Sequence, residues 1–307
     1  MTEMGAESPI DNGRETTRTL TFPDGARIRV GRWRPSSETG QIVVLIHGRT
    51  EFLEKYEETI GELTARGFEV WSMDWRGQGL SARSLTNRQK GHIDRFDTYL
   101  KDLGHFLTEI VPATAAPVIL AHSMGGHIVA RAILGNQIVA SRVILTAPMF
   151  DLPMAGLARI AAETIAKSAV TLGLGNLYAP GARDYDPNRA RFDGNALTND
   201  RTRFDGLNSA LRENPDLALG GPTLGWVSAA FGSIKELRIA STASGTPTPV
   251  LVCSAMSDTV VSVTAQSDIC QNAGWEQRRF ENARHEILLE TDSLRRDFWM
   301  AFEDFVA

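Results

Sequence analysis

Ser123 stands where a serine can act as a nucleophile. It lies in Val118-Ile119-Leu120-Ala121-His122-Ser123-Met124-Gly125-Gly126, an apolar run, then a tight turn, then a helical stretch from Gly126 to Leu134. Such a run suits a buried parallel strand. A serine between small residues at a strand-to-helix turn is a nucleophile elbow, whose strained backbone pushes the hydroxyl outward and leaves little room for neighbouring side chains. Ala121, in place of the more usual glycine, and Gly125 hold the two flanking positions. The turn also aims a helix N-terminus at the reaction centre, where backbone N–H groups favour a developing anion. The chemistry implied is attack on a carbonyl by Ser123, with the Met124 N–H as one oxyanion donor.

Serine is a weak nucleophile until a base takes its proton. Of the six histidines, His285 follows a late strand-like run and precedes the last amphipathic stretch. That is the place of the base in the chain order serine, acid, histidine. His47 and His122, at strand ends, read as local hydrogen-bonding residues; His92 and His105 precede the elbow, and His127 lies on the helix after it. Asp258, beyond the strand Pro249 to Ala255, is expected to hold the imidazole in one tautomer and stabilise imidazolium. The loop His47-Gly48-Arg49-Thr50-Glu51 is expected to supply a second oxyanion donor, the backbone N–H of Arg49. The Arg49 side chain has two destinations, a nearby carboxylate such as Glu51 or a substrate phosphate. Asp74-Trp75-Arg76-Gly77-Gln78-Gly79 lacks the spacing of either nucleotide fingerprint, so Asp74 and Arg76 read as a structural turn.

The elements that must position these residues alternate. Thr17 to Phe22 and Arg27 to Trp33 form a hairpin around Pro23-Asp24-Gly25-Ala26. Strands are expected at Gln41 to His47, Phe68 to Trp75, Val118 to Leu120 and Arg142 to Ala147. Helices are expected at Leu53 to Arg66, stopped by Gly67, and from a cap at Asp94 to about Val111. This beat implies a parallel sheet with right-handed crossovers. It stops from Met149 to about Gly245, where no convincing strand occurs. It resumes with a strand at Pro249 to Ala255, a helix at Val263 to Asn272, a strand at Glu276 to Phe280 and a helix at Glu286 to Phe305. The reading is an α/β fold whose core comes in two pieces, residues 1–148 and residues 246–307, with a helical cap at 149–245 inserted between them.

Composition is that of an ordinary soluble enzyme. The chain has 307 residues, 42% hydrophobic and 22% charged, with net charge −5, which argues against a nucleic-acid partner. Cys253 and Cys270 read as buried thiols. The N-terminal stretch has neither basic start nor apolar segment, and no run is long enough to span a membrane. A cytoplasmic location is the expectation, with peripheral contact at the inner face of the membrane.

The motifs together resemble a known group. Gly48-Arg49-Thr50-Glu51, Asp74 to Ser81, Gly91-His92-Ile93-Asp94-Arg95-Phe96, the elbow and His285-Glu286-Ile287-Leu288-Leu289-Glu290 look like the α/β-hydrolase fold. Within it they look like the lysophospholipase L2 and monoacylglycerol lipase branch. Asn195-Ala196-Leu197-Thr198 and Gly220 to Val227 match that branch in the cap. The resemblance implies ester hydrolysis of a single-chain lipid by Ser123, Asp258 and His285, with neither metal nor organic cofactor. Its rivals are an esterase, thioesterase or lactonase of the same fold and a non-catalytic binding protein. Chain-length preference and oligomeric state stay open.

The cap holds a helix, Leu152 to Leu172, with one narrow charged stripe, Arg159, Glu163 and Lys167. The rest of its circumference is apolar and needs cover. Ile160, Ile165 and, on a later segment, Trp226 are the candidate substrate-binding residues, as walls of an acyl channel; packing inside the cap and contact with a membrane surface are the other readings of Ile160 and Ile165. Arg183, Arg189, Arg191, Arg201 and Arg203 alternate with four aspartates and read as an ion-paired loop, with a phosphate headgroup as the alternative.

Overall fold

The computed structural model describes residues 15–37, 39–112, 116–243 and 245–307; the N-terminal stretch considered for a leader lies outside them. The strands are β1 (Glu15–Thr21), β2 (Arg27–Trp33), β3 (Ile42–Ile46), β4 (Glu69–Met73), β5 (Val118–His122), β6 (Arg142–Thr146), β7 (Val250–Ala255) and β8 (Glu276–Phe280). They form one sheet in the order β1-β2-β4-β3-β5-β6-β7-β8. β1 and β2 pair antiparallel, as do β2 and β4, and every later pair is parallel. The continuous apolar runs of β3 and β5 are buried along their whole length, because helices cover both faces of the sheet. Those helices are α1 (Glu57–Ala65), α2 (Asp97–His105), α3 (Ser123–Leu134), α7 (Val263–Ala273) and α8 (Asp292–Val306); between β6 and β7 run α4 (Gly156–Thr171), α5 (Arg201–Glu213) and α6 (Leu224–Ser241).

Five helix starts differ from the sequence reading: α3 begins at Ser123 rather than Gly126 and α4 at Gly156 rather than Leu152, and the other three have local causes. Leu53–Tyr56 is a separate 3-10 turn ahead of α1. α2 begins at Asp97, not after an Asp94 cap, because Asp94 faces His92 across 3.2 Å instead. α8 begins at Asp292, because Glu286 is buried and Ile287–Leu289 form a 3-10 turn that carries it inward.

Helix α4 is inverted relative to its expected packing. Ala166 and Ala169 are buried, and on the same side Arg159 pairs with Asp151 and Glu163 at 2.6 and 2.9 Å and lies over Phe231 of α6. The apolar side faces out: Leu157, Ile160, Ile165 and Leu172 are 84, 61, 51 and 73% exposed. Ile160 and Ile165 therefore lie on the outer surface rather than inside an enclosed channel, and of the charged stripe Arg159 and Glu163 turn inward while Lys167 stays exposed. No helix among the described residues is long and apolar enough to cross a membrane.

Candidate active site

The elbow depends on close approach. Ser123 has φ of 50°, a left-handed conformation that a non-glycine residue adopts only under constraint. A Cβ on Gly125 would lie 2.4 Å from the His47 carbonyl oxygen, and one on Gly126 would lie 3.0 Å from Pro148 Cβ. Glycines therefore let α3 seat against the end of β3. Ala121 is fully buried, so the methyl group that departs from the usual glycine is accommodated.

Three side chains from three loops meet here. His285 Nε2 is 2.9 Å from Ser123 Oγ, and His285 Nδ1 is 2.6 Å from Asp258 Oδ2. The other Asp258 oxygen accepts from the Val260 and Val261 N–H groups at 2.7 and 3.1 Å, which fixes the carboxylate. Ser123 and His285 are buried. Burial pulls the imidazole pKa down, but the Asp258 hydrogen bond and charge, backed by Glu286 and Glu51, outweigh it and hold His285 above its ordinary value.

The neighbouring loop leaves one donor free. The Gly48 N–H is taken by Glu51 at 2.5 Å and the Thr50 N–H by Gln78 at 2.5 Å. The Arg49 N–H between them makes no hydrogen bond among the described residues. A Cβ on Gly48 would be 3.0 Å from Ser123 Cβ, so this loop lies directly against the serine. Met124 follows Ser123 in the first turn of α3, where N–H groups lack an intrahelical partner.

The remaining candidates are placed as follows. The Arg49 guanidinium reaches neither expected destination: it donates to the Gly220 carbonyl at 2.8 Å and lies over Trp226 at 5.2 Å. Trp226 is buried against Phe96 and joins the site only through Arg49. Ile160 and Ile165, being exposed, are not brought to it. Asp74 is a buried hub that accepts from the Leu53 and Leu80 N–H groups at 3.0 and 2.9 Å. Arg76 grips Asp102 through two hydrogen bonds of 2.5 and 2.6 Å. His127 bonds Ser233 at 2.5 Å, and burial, with Arg131 nearby, pushes it down to about 3. Cys253 and Cys270 are buried free thiols.

Known proteins share this arrangement of elements and sequence. The family described as serine aminopeptidase, S33, matches residues 37–292. The chain belongs to this S33 family of α/β-hydrolases. Among similar proteins, lysophospholipase L2 of Escherichia coli strain K12 is 30% identical over 93% of this chain and 86% of its own length. A probable lysophospholipase L2 of Haemophilus influenzae is 29% identical over 89% of this chain and 86% of its own. A soluble variant of monoglyceride lipase from Saccharomyces cerevisiae, solved with a substrate analog, shares the fold with a TM-score of 0.72 at 19% identity; the match covers 97% of this chain and 96% of that one.

Beneath the S33-type elbow lies a buried charge network that the sequence reading missed. Lys55 Nζ donates to Glu51 at 2.6 Å and to Glu286 at 2.7 Å. Tyr56 donates to Glu51 at 2.7 Å. Burial alone would strip the proton from Lys55, but Glu286 and Glu51 outweigh it and raise the pKa. Burial would likewise raise Glu51, but Lys55, His122 and His47 hold it well below the carboxylate range. Burial keeps His122 toward its neutral form despite Glu286 and Glu51. Its Nδ1 faces the Thr146 carbonyl at 3.0 Å, and its ring lies 4.8 Å from that of His285. Two carboxylates against one ammonium leave the network with one negative charge behind the imidazole. The signal for it was faint: Glu286 and Glu290 bracket an apolar triplet, Ile287-Leu288-Leu289, which places charged residues where the chain runs inward.

A cleft of about 520 Å³ opens beside this site, and Arg49 and Ala196 are among its lining residues. Ala196 and Leu197 carbonyls accept from the His285 and Glu286 N–H groups at 3.4 and 2.8 Å, so the cleft adjoins the loop that carries His285.

Two outcomes follow from the network. Removing the Glu286 charge disfavours imidazolium, so Glu286→Gln should move the acidic limb of the pH profile for kcat/KM to lower pH. In the unaltered protein that limb should lie above the ordinary 6.5 of histidine. An acidic limb unmoved in Glu286→Gln would remove the network from the titration of His285. Lys55→Met leaves two buried carboxylates without their cation and should cost about 3–5 kcal/mol of stability, read by urea denaturation.

Proposed function

We propose that this protein is a serine hydrolase that cleaves carboxylic esters of single-chain lipids through an acyl-enzyme. The observation that carries the reading is the hydrogen-bonded chain Ser123–His285–Asp258 on a strained elbow. Ser123 Oγ attacks the ester carbonyl as His285 takes its proton, and Asp258 stabilises the imidazolium. The Arg49 and Met124 N–H groups hold the oxyanion. His285 then gives the proton to the leaving alcohol, and water, activated by the same base, releases the fatty acid. The lysophospholipase names of the full-length relatives support a lipid ester as substrate.

An aminopeptidase, the activity in the family's description, must hold a protonated amine near the scissile carbonyl, which asks for carboxylates. The cleft beside the oxyanion loop is lined by four arginines and by no Asp or Glu, and this favours the ester reading.

The segment 149–245 is proposed as the cap, and its outward apolar face as a contact with the membrane surface. Leu157, Ile160 and Ile165 of α4 and Leu172 at its C-terminal end are exposed apolar side chains on one side of the helix, with Thr164 and Ser168 among them. A surface helix ordinarily turns that side inward, and one that faces out suits the boundary of a lipid layer. Such a contact would bring the enzyme to where single-chain lipids partition.

The catalytic reading expects Ser123→Ala and His285→Ala each to lower turnover of a p-nitrophenyl ester by several orders of magnitude, with the double variant little worse, because the groups act as one unit. Additive losses, or undiminished turnover by Ser123→Ala, would sink it. For the cap, Leu157→Asp with Leu172→Asp should lower co-sedimentation with phospholipid vesicles about tenfold or more. The loss of rate on vesicle-borne substrate should far exceed the loss on a water-soluble butyrate ester. Equal losses on both would leave the face a plain structural surface.

A further inference from the structure

The cleft that begins at Arg49 has a composition that the proposed hydrolysis does not itself require. Arg49, Arg183, Arg189 and Arg191 line it over an apolar floor that includes Phe204 and Leu207, and no Asp or Glu is among the lining residues. The sequence reading expected the aspartates of this segment to neutralise its arginines, and three of the four do pair within it, but only one of them with an arginine of the cleft. Asp184 accepts from Asn87 at 3.0 Å and from Tyr178. Asp193 faces Arg201 at 3.6 Å, and Asp200 faces Arg203 at 2.9 Å while capping α5. Asp186 alone turns to a cleft arginine, Arg189, at 3.4 Å. Arg183 and Arg191 have no carboxylate partner among the described residues.

Arg49 Nε is buried and has no hydrogen-bond partner. Burial pushes this guanidinium down to about 10, and only Tyr99 and Tyr178 oppose it. A buried guanidinium with a spare donor, in a cleft lined by three further arginines, is a site short of an anion. Guanidinium matches phosphate oxygens with paired hydrogen bonds, and low-dielectric walls strengthen that attraction.

We infer that this cleft is a phosphate subsite that takes the phosphodiester headgroup of a single-chain lipid, with its glycerol ester directed toward Ser123. The inference rests on the lipid-esterase reading and deepens it: the preferred substrate carries a net negative headgroup in place of a neutral glycerol. The apolar floor packs the glycerol carbons, and the arginines hold the phosphate oxygens.

The test compares two uncleavable ether lipids with the same short chain, each below its micelle concentration: an alkyl-glycerophosphoglycerol and the matching alkylglycerol. Isothermal titration of the full chain should show the phosphate-bearing lipid binding about tenfold or more tightly. That advantage should shrink about tenfold in Arg183→Gln/Arg191→Gln and diminish with added salt. Equal affinity for the two ether lipids overturns the subsite, and so does an advantage undiminished in the double variant. Inorganic phosphate that binds as tightly as the ether phospholipid overturns the headgroup assignment, since the cleft then recognises free phosphate. Binding of ether lipids requires no turnover. Failure of ester hydrolysis would therefore refute the catalytic reading while this comparison still decides the subsite.

Discussion

The catalytic geometry depends on one buried cation. Lys55 sits between Glu51 and Glu286, and each carboxylate belongs to a different working loop. Glu51 holds the Gly48 N–H of the oxyanion loop, and Glu286 directly follows His285. Bringing three charges out of water is costly, and the arrangement survives because the hydrogen bonds are short and the lone pairs largely used. The same interaction that offsets the desolvation ties the end of β3 to the loop after β8. His122, one residue ahead of the nucleophile, packs against the cluster. Ser123, His285 and the Gly48-Arg49 loop are thus referenced to a single point in the core.

This explains how a strained elbow is tolerated. A left-handed serine costs of the order of 1–3 kcal/mol and persists only where its surroundings over-determine it. Here the Ser123 carbonyl accepts from the Met149 N–H at 2.9 Å, Gly125 presses on the end of β3, and β5 is hydrogen-bonded on both sides. The sheet's stability is spent on a backbone conformation that presents one hydroxyl.

The parallel strands were legible in the sequence because β3 is apolar throughout and β5 and β7 open on apolar runs, a pattern that burial on both faces demands. Ser123, Asp258 and His285 were legible as candidates by chain order and strand ends, and the structure brings them within hydrogen-bonding distance. What sequence could not show was direction. Lys55 reads like any surface lysine, since its burial comes from Glu286, far along the chain. The apolar residues of α4 look as though they demand cover, yet the polar stripe is what α6 covers, because Arg159 and Arg238 both turn to Asp151. Asp94 looks like a cap, and His92 claims it. In each case a partner distant in sequence, or a competing neighbour, overrode the local pattern.

The segment 195–198 carries a further consequence. The Asn195 side chain accepts from the Leu197 and Thr198 N–H groups at 2.8 and 2.9 Å, and Thr198 Oγ1 donates to the Leu289 carbonyl at 2.6 Å. The Ala196 and Leu197 carbonyls meet the backbone of His285 and Glu286. This stretch between β6 and β7 is therefore a brace for His285 rather than a piece of a detachable roof. For protein engineering the seam between interchangeable pieces does not run where the insertion begins and ends. A graft that swaps the whole insertion for that of another hydrolase would remove the brace with it, whereas one that keeps 195–198 and exchanges only the helices on either side would retain a supported histidine.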